Sequence, residues 1–294
     1  MSVIEIHQIT KDYGDHKGVF DVSFTVEKGE VVGFLGPNGA GKTTTIRQLM
    51  GFIAPDKGSV SIMGLDCFKD ADKVQAQLGY LPGEIAFMED MTGIEFIHFM
   101  ADMKHIKDFS KAQELIDYLE LDPKGKIRRM SKGMKQKIGI VIAFMQDPSI
   151  LILDEPTSGL DPLMQSKFVE LIKKEKAKGK TILMSSHIFE EVEHTCDRVV
   201  IIKDGCIIAT KDMEELRHNK RKIYEVRFEN EQDAIAFVEN HEGCTRDGKE
   251  IMITLQGQVD AFIKDLSKYT IRDLQMRTQS LEELFMQYYG GDEQ

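Results

Sequence analysis

The sequence predicts an α/β domain built on a buried parallel sheet, followed by a smaller α+β unit. Three observations carry this reading. Residues 31–35 form an unbroken apolar run, and 150–153 and 181–184 read as second and third buried strands, the pattern of strands covered on both faces. A helical stretch at 164–178 separates the second run from the third, and strand–helix–strand order builds a parallel sheet with crossover helices. From residue 222 onward the order changes to strand, helix, hairpin, helix and strand.

The elements follow in chain order. Residues 3–9 and 19–26 alternate apolar and polar, as strands of an antiparallel layer with one buried face do. The run at 31–35 leads into a glycine loop and then a helix at 43–50. From 83 to 147 the chain reads almost wholly helical, an insert placed at about 84–147. Segments 199–202 and 207–210 flank Asp204-Gly205, a two-residue hairpin turn. The polar, basic link 217–222 marks a boundary between a first domain, 1–216, and a second, 222–294. In the second, strands at 223–228, 251–255 and 271–276, a hairpin at Asp247-Gly248 and helices at 231–239 and 259–266 predict a ferredoxin-like module. A helix at 281–289 closes it.

Composition narrows the function. The chain has 294 residues, 41% hydrophobic and 30% charged, as folded globular domains do. Its net charge of −11 argues against nucleic acid as a ligand, because a phosphate backbone requires a basic face. Cys67, Cys196, Cys206 and Cys244 show no CxxC spacing and read as reduced thiols. The most apolar stretches fall far short of the ~20 residues of a spanning helix, and no signal peptide is expected, so any membrane role requires a partner chain.

Gly36-Pro37-Asn38-Gly39-Ala40-Gly41-Lys42-Thr43 fits G-x-x-x-x-G-K-[ST] between a buried strand and a helix, followed by Thr44. Glycines let successive backbone N–H groups point at anionic oxygens, and the helix start adds its positive dipole end. Lys42 can reach the terminal phosphates of ATP, and the Thr43 hydroxyl can ligate Mg²⁺. The run at 150–153 ends in Asp154-Glu155. Neighbours on a strand point to opposite sides, so the two carboxylates take different tasks. Asp154 is expected to hold Mg²⁺ or its water, and Glu155 to orient and deprotonate the attacking water.

Further segments resemble those of the ATP-binding-cassette ATPases, P-loop proteins in which an antiparallel layer and a helical insert accompany the parallel sheet. Met130-Ser131-Lys132-Gly133-Met134-Lys135-Gln136 resembles the family's signature segment. Ser158-Gly159-Leu160-Asp161 resembles its D-loop, Ser186-His187 its switch histidine, and Tyr13 its adenine-stacking aromatic. The resemblance covers residues 2–215. The signature variant, residues 79–84 and residues 281–285 resemble the branch serving exporters of drugs, peptide antibiotics and sodium.

The resemblance implies two cassettes sandwiching two ATPs, with Ser131 and Gly133 of one closing on the nucleotide held by the phosphate loop of the other. It implies a separately encoded integral-membrane permease and a place at the cytoplasmic face of the cell membrane. Each residue also has a plainer reading. Ser131 is a good helix N-cap, His187 a loop histidine, and Tyr13 a residue packed on a sheet edge. Lys132 either pairs with phosphate or is solvated. Gly83 or Glu84 stands where the family commonly has glutamine, and Glu84 is the oxygen that can replace it at the metal. Phe87, Met88, Met91, Phe96, Phe99, Met100 and Met103 form either helical core or a groove for the membrane partner. The second domain, with 15 acidic and 8 basic residues, has no catalytic constellation and is expected to steady a dimer through Leu281, Leu284 and Phe285. The rival functions are a soluble cassette ATPase of translation or DNA repair, and a kinase on the same phosphate loop.

Overall fold

The computed structural model describes residues 1–218, 221–241, 243–255, 259–280 and 282–284. It divides into two compact units, Met1–Met213 and Glu214–Gln294.

The first unit opens with β1 (Ser2–Asp12), β2 (Gly18–Glu27), β3 (Val31–Leu35) and α1 (Lys42–Leu49), followed by β4 (Lys57–Ile62), β5 (Leu65–Asp66), α2 (Ala71–Ala76) and β6 (Leu78–Leu81). The helical insert holds α3 (Gly93–Met103), α4 (Ser110–Tyr118) and α5 (Lys132–Phe144). Then come β7 (Ile150–Asp154), α6 (Pro162–Ala177), β8 (Thr181–Ser186), α7 (Phe189–Thr195), β9 (Arg198–Lys203) and β10 (Cys206–Asp212); α8 (Met213–His218) starts at the last residue of this unit and otherwise belongs to the second.

The central sheet runs β10-β9-β3-β8-β7-β6, parallel throughout except for the hairpin partner β10. All residues of β3, β7 and β8 are buried, which is why these strands have no polar alternation. A second, antiparallel sheet runs β2-β1-β4-β5. Its alternating inward residues Ile4, Ile6, Val22 and Val26 share one core with Val32 and Phe34 of β3 and with Ile46 and Leu49 of α1. In an α/β sheet of this kind, ligands sit beyond the carboxyl ends of the strands.

Each helix of the insert has a local reason. Thr92 caps α3 in a capping box, its hydroxyl accepting from the Glu95 N–H while the Glu95 carboxylate accepts from the Thr92 N–H. Phe96, Ile97 and Ala101 bury one face of α3, and Ile138 to Phe144 of α5 are buried without interruption. The Met/Phe stripe is divided accordingly: Phe96 is core, while Met88 and Met103 are exposed and Phe87 and Met91 half-buried.

Behind the sheet, Glu175 of α6 is 1% exposed, hydrogen-bonded by Lys178 Nζ (2.7 Å) and ion-paired with Lys180 Nζ (2.5 Å). Burial alone would raise its carboxyl, but the two ammoniums outweigh that effect and hold it below the usual carboxylate range. A depressed carboxylate contributes stability above its unfolded pKa and loses it as pH falls through the folded one. Glu175→Gln is therefore expected to cost about 3 kcal/mol at neutral pH, with the gap to the parent chain shrinking below about pH 4. Thermal melts of both proteins from pH 7 to pH 3 check this; a gap independent of pH contradicts it.

The second unit comprises β11 (Lys222–Phe228), α9 (Glu231–Asn240), β12 (Cys244–Asp247), β13 (Glu250–Leu255), α10 (Val259–Leu266) and β14 (Ile271–Thr278). Its antiparallel sheet runs β12-β13-β11-β14. Tyr224, Val226, Phe228, Ile251 and Ile253 pack with Phe237 of α9 and Phe262 of α10 in a separate core. Residues 282–284 are helical; Leu281, Phe285 and the rest of the expected closing helix lie outside the described residues.

Candidate nucleotide site

The phosphate loop links β3 to α1. Gly41, the residue before the helix, has φ 108°, and a Cβ there would lie 2.5 Å from Val19 Cγ1. Only glycine fits that backbone. Lys42 is 5% exposed, its Nζ donating to the carbonyls of Gly36 (2.6 Å) and Pro37 (3.1 Å). The ammonium therefore lies folded inside the loop, 3.1 Å from Glu155 Oε1 in an ion pair without hydrogen-bond geometry. Tyr13, Lys17, Gly18, Asn38, Gly39, Gly41, Lys42, Thr43, Thr44 and Glu155 line one cleft of about 490 Å³. Tyr13, 56% exposed, stands at this cleft, while Gly36 and Ala40 are buried in the loop behind it.

The Thr43 hydroxyl donates to Asp154 Oδ2 (2.9 Å), and Ser185 Oγ of β8 donates to Asp154 Oδ1 (2.5 Å). Asp154 ends β7 and is fully buried. Glu155 follows with φ 49°, so the separation of the two carboxylates comes from a left-handed turn at the strand end and not from strand alternation. Such a backbone costs roughly 1–3 kcal/mol and persists where its surroundings fix it. Here the Glu155 N–H donates to Ser185 Oγ (3.0 Å), and Gln136 Nε2 of α5 donates to the carbonyls of Glu155 (3.3 Å) and Pro156 (2.8 Å). His187 Nδ1 lies 2.6 Å from Glu155 Oε2.

Other expected residues lie apart from this cluster. Ser131 N-caps α5, accepting from the Met134 N–H (3.2 Å), and neither Ser131 nor Gly133 lines the cleft. Asp161 N-caps α6, accepting from the Met164 N–H (3.0 Å). Lys132, left open between phosphate pairing and solvation, donates to Ser158 Oγ (2.8 Å), tying the start of α5 to the loop after β7. Glu84 is exposed, and no hydrogen bond or ion pair joins it to Thr43 or Asp154. At Gly83, a Cβ would lie 3.2 Å from Asp154 Oδ2, so the glycine leaves that carboxylate face open. Sequence reasoning gave no role to Ser185, Gln136, Thr157 or Glu191. Ser185 was the most accessible of them, lying between the expected strand at 181–184 and Ser186-His187.

A phosphate loop and a strand-end carboxylate pair on a parallel sheet define the P-loop nucleoside triphosphatases. The antiparallel layer and the helical insert between β6 and β7 narrow that class to the cassette type. The profile described as "ABC transporter" matches residues 19–158. The bacitracin transport ATP-binding protein BcrA of Bacillus licheniformis is 33% identical over 300 residues, 99% of this chain and 98% of its own. The linearmycin resistance ATP-binding protein LnrL of Bacillus subtilis is 38% identical over 212 residues, 70% of this chain and 68% of its own. A solved structure of the ATP-binding subunit of an ABC transporter, 33% identical, matches with a TM-score of 0.66 over 74% of this chain and 92% of its own. The chain belongs to the ATP-binding subunits of the ABC transporter family, which bind and hydrolyse ATP. Among the described residues, no helix is long and apolar enough to cross a membrane.

Proposed function

We propose that this chain hydrolyses ATP in a head-to-tail dimer to drive an export permease on a separate chain, held at the cytoplasmic face of the membrane. The convergence of Lys42, Thr43 and Glu155 on the cleft, with Asp154 hydrogen-bonded to Thr43 and His187 set against Glu155, carries the proposal. Lys42 and the phosphate-loop N–H groups bind the triphosphate, and Tyr13 stacks on adenine. Glu155 takes the proton of the attacking water, and His187 orients Glu155 and faces the γ-phosphate. Thr43 and Asp154 present hard oxygen donors, and Gly83 leaves space beside them, so Mg²⁺ fits here. When bound it neutralises phosphate charge.

The dimer is supported by what the cleft lacks. Its lining has no group from the signature, although Ser131 and the N–H groups at the start of α5 form an anion-ready helix end. A second protomer supplies that end in trans. Bacitracin transport is named for BcrA, 98% of whose length this chain matches, and a cargo of that kind is the corresponding class here.

Docking to the permease runs through the insert. Phe87 packs against Phe96, with ring centroids 5.2 Å apart, so substituting it disturbs core; Met88, 49% exposed, does not carry that cost. Met88→Glu is expected to abolish co-sedimentation with permease-containing membranes while basal ATPase activity stays within about twofold, since a solvent-facing change typically moves stability by under ~0.5 kcal/mol. Unchanged membrane association rules out this docking face.

A further inference from the structure

We propose that Glu191 is a positioning residue for ATP hydrolysis, its buried carboxylate clamping the segment that carries Glu155 to the segment that carries His187. Glu191 lies in the first turn of α7 and is 5% exposed. Its Oε1 accepts from Thr157 Oγ1, two residues beyond Glu155, and its Oε2 accepts from Ser186 Oγ (2.8 Å), directly before His187. Thr157 and Ser186 are themselves buried, so the bridge is shielded from water. One carboxylate thus spans the two loops whose side chains meet at Glu155 Oε2 and His187 Nδ1.

A buried carboxylate is an expensive way to join two hydroxyls. Burial pushes the Glu191 carboxyl above the usual range, against the hydroxyl hydrogen bonds, while the nearby Glu155 charge raises it further and His187 lowers it. A fold needing only packing here would be served by an apolar side chain, as replacements of buried charges show. What the carboxylate adds is two acceptors at fixed spacing. Glu155 needs such support, because its left-handed backbone is sparsely populated for a residue with a side chain. Ser185 holds it from β8 and Gln136 from α5; Glu191 adds a side-chain bridge from α7 between Thr157 and Ser186.

The inference rests on the roles given to Glu155 and His187. Its test uses full-length Glu191→Gln, Glu191→Asp, Glu191→Ala and Glu155→Gln, with melting temperature, affinity for fluorescent ATP, and kcat and KM for ATP measured for each. Glutamine keeps length, and the Thr157 and Ser186 hydroxyls can reorient to its amide, so its kcat should stay within about fivefold of the parent. Aspartate keeps charge but is a methylene short, so it and alanine should lose kcat by on the order of 10²-fold, the penalty of misplacing a reacting group by about 1 Å. ATP affinity should stay within about threefold in all three, since Glu191 lies outside the nucleotide cleft. Parent-like kcat in folded Asp and Ala variants, alongside an inactive Glu155→Gln, overturns the clamp alone. A glutamine variant as impaired as aspartate, or a kcat loss matched by lost ATP affinity, also overturns it. Full turnover by Glu155→Gln removes the underlying reading and the inference with it.

Discussion

Glu155→Gln will lower steady-state ATP hydrolysis by about 10²–10⁴-fold while leaving ATP binding intact. The substitution retains the shape of the side chain and one oxygen acceptor but removes the basic group. Lys42 Nζ, 3.1 Å from Glu155 Oε1, still faces an oxygen, so the phosphate loop keeps its arrangement. His187 Nδ1, 2.6 Å from Oε2, can meet either end of the amide according to its tautomer. Binding and dimer closure should therefore proceed while hydrolysis stalls, and an ATP-loaded dimer should accumulate. Sedimentation with and without ATP, paired with single-turnover rates, measures both. A variant that remains monomeric in ATP and turns over at the parent rate eliminates the assigned base and the shared site together.

How much of this site was legible depended on whether a function is written in consecutive residues. The phosphate loop and Asp154-Glu155 were, because backbone wrapping and a strand-end carboxylate pair are local events on uninterrupted buried strands. Lys132 was not. Its partner Ser158 lies across a tertiary contact, and spacing alone cannot distinguish that from a solvated charge. Glu191 was hidden for the same reason: Thr157 and Ser186 reach it from the ends of two different strands. The left-handed turn at Glu155 was also hidden, since nothing in a Leu-Asp-Glu-Pro string announces φ 49°.

The fold followed the same division. Strands β3, β7 and β8 stood out because the whole of each is buried. The stretch from 57 to 81 gave no clear reading, although it contains two strands of the antiparallel sheet and one edge of the parallel one. In β4 only Val60 and Ile62 are buried, and β6 is four residues with a glycine among them, too short for periodicity to declare. The second unit was legible as an order of elements because β11 and β13 alternate, with Tyr224, Val226 and Phe228 inward on β11 and charged neighbours between them.

Lys42→Ala is expected to weaken ATP binding by about 10²-fold or more. Hydrogen bonds to charged groups contribute about 1.5–3 kcal/mol each, and Lys42 is the side-chain cation within the loop 36–43. Its Nζ is held by the Gly36 and Pro37 carbonyls and lies beside Glu155, so the ammonium is fixed within the loop. That preorganisation argues that even Lys42→Arg will fail. A planar guanidinium does not fit a pocket that leaves the lysine 5% exposed, and its fork cannot reproduce a point charge between two carbonyls. Loss of fold would mimic loss of binding, so the measurement pairs equilibrium binding of fluorescent ATP with a melting curve. Removing Lys42 leaves Glu155 with His187 as partner and partial access to water, which limits the stability cost to about 1–2 kcal/mol. A folded Lys42→Ala chain that binds ATP within threefold of the parent would mean that the backbone N–H groups and the helix dipole hold the phosphates by themselves. The ammonium would then serve the transition state alone, and the deficit would appear in kcat, with KM unchanged.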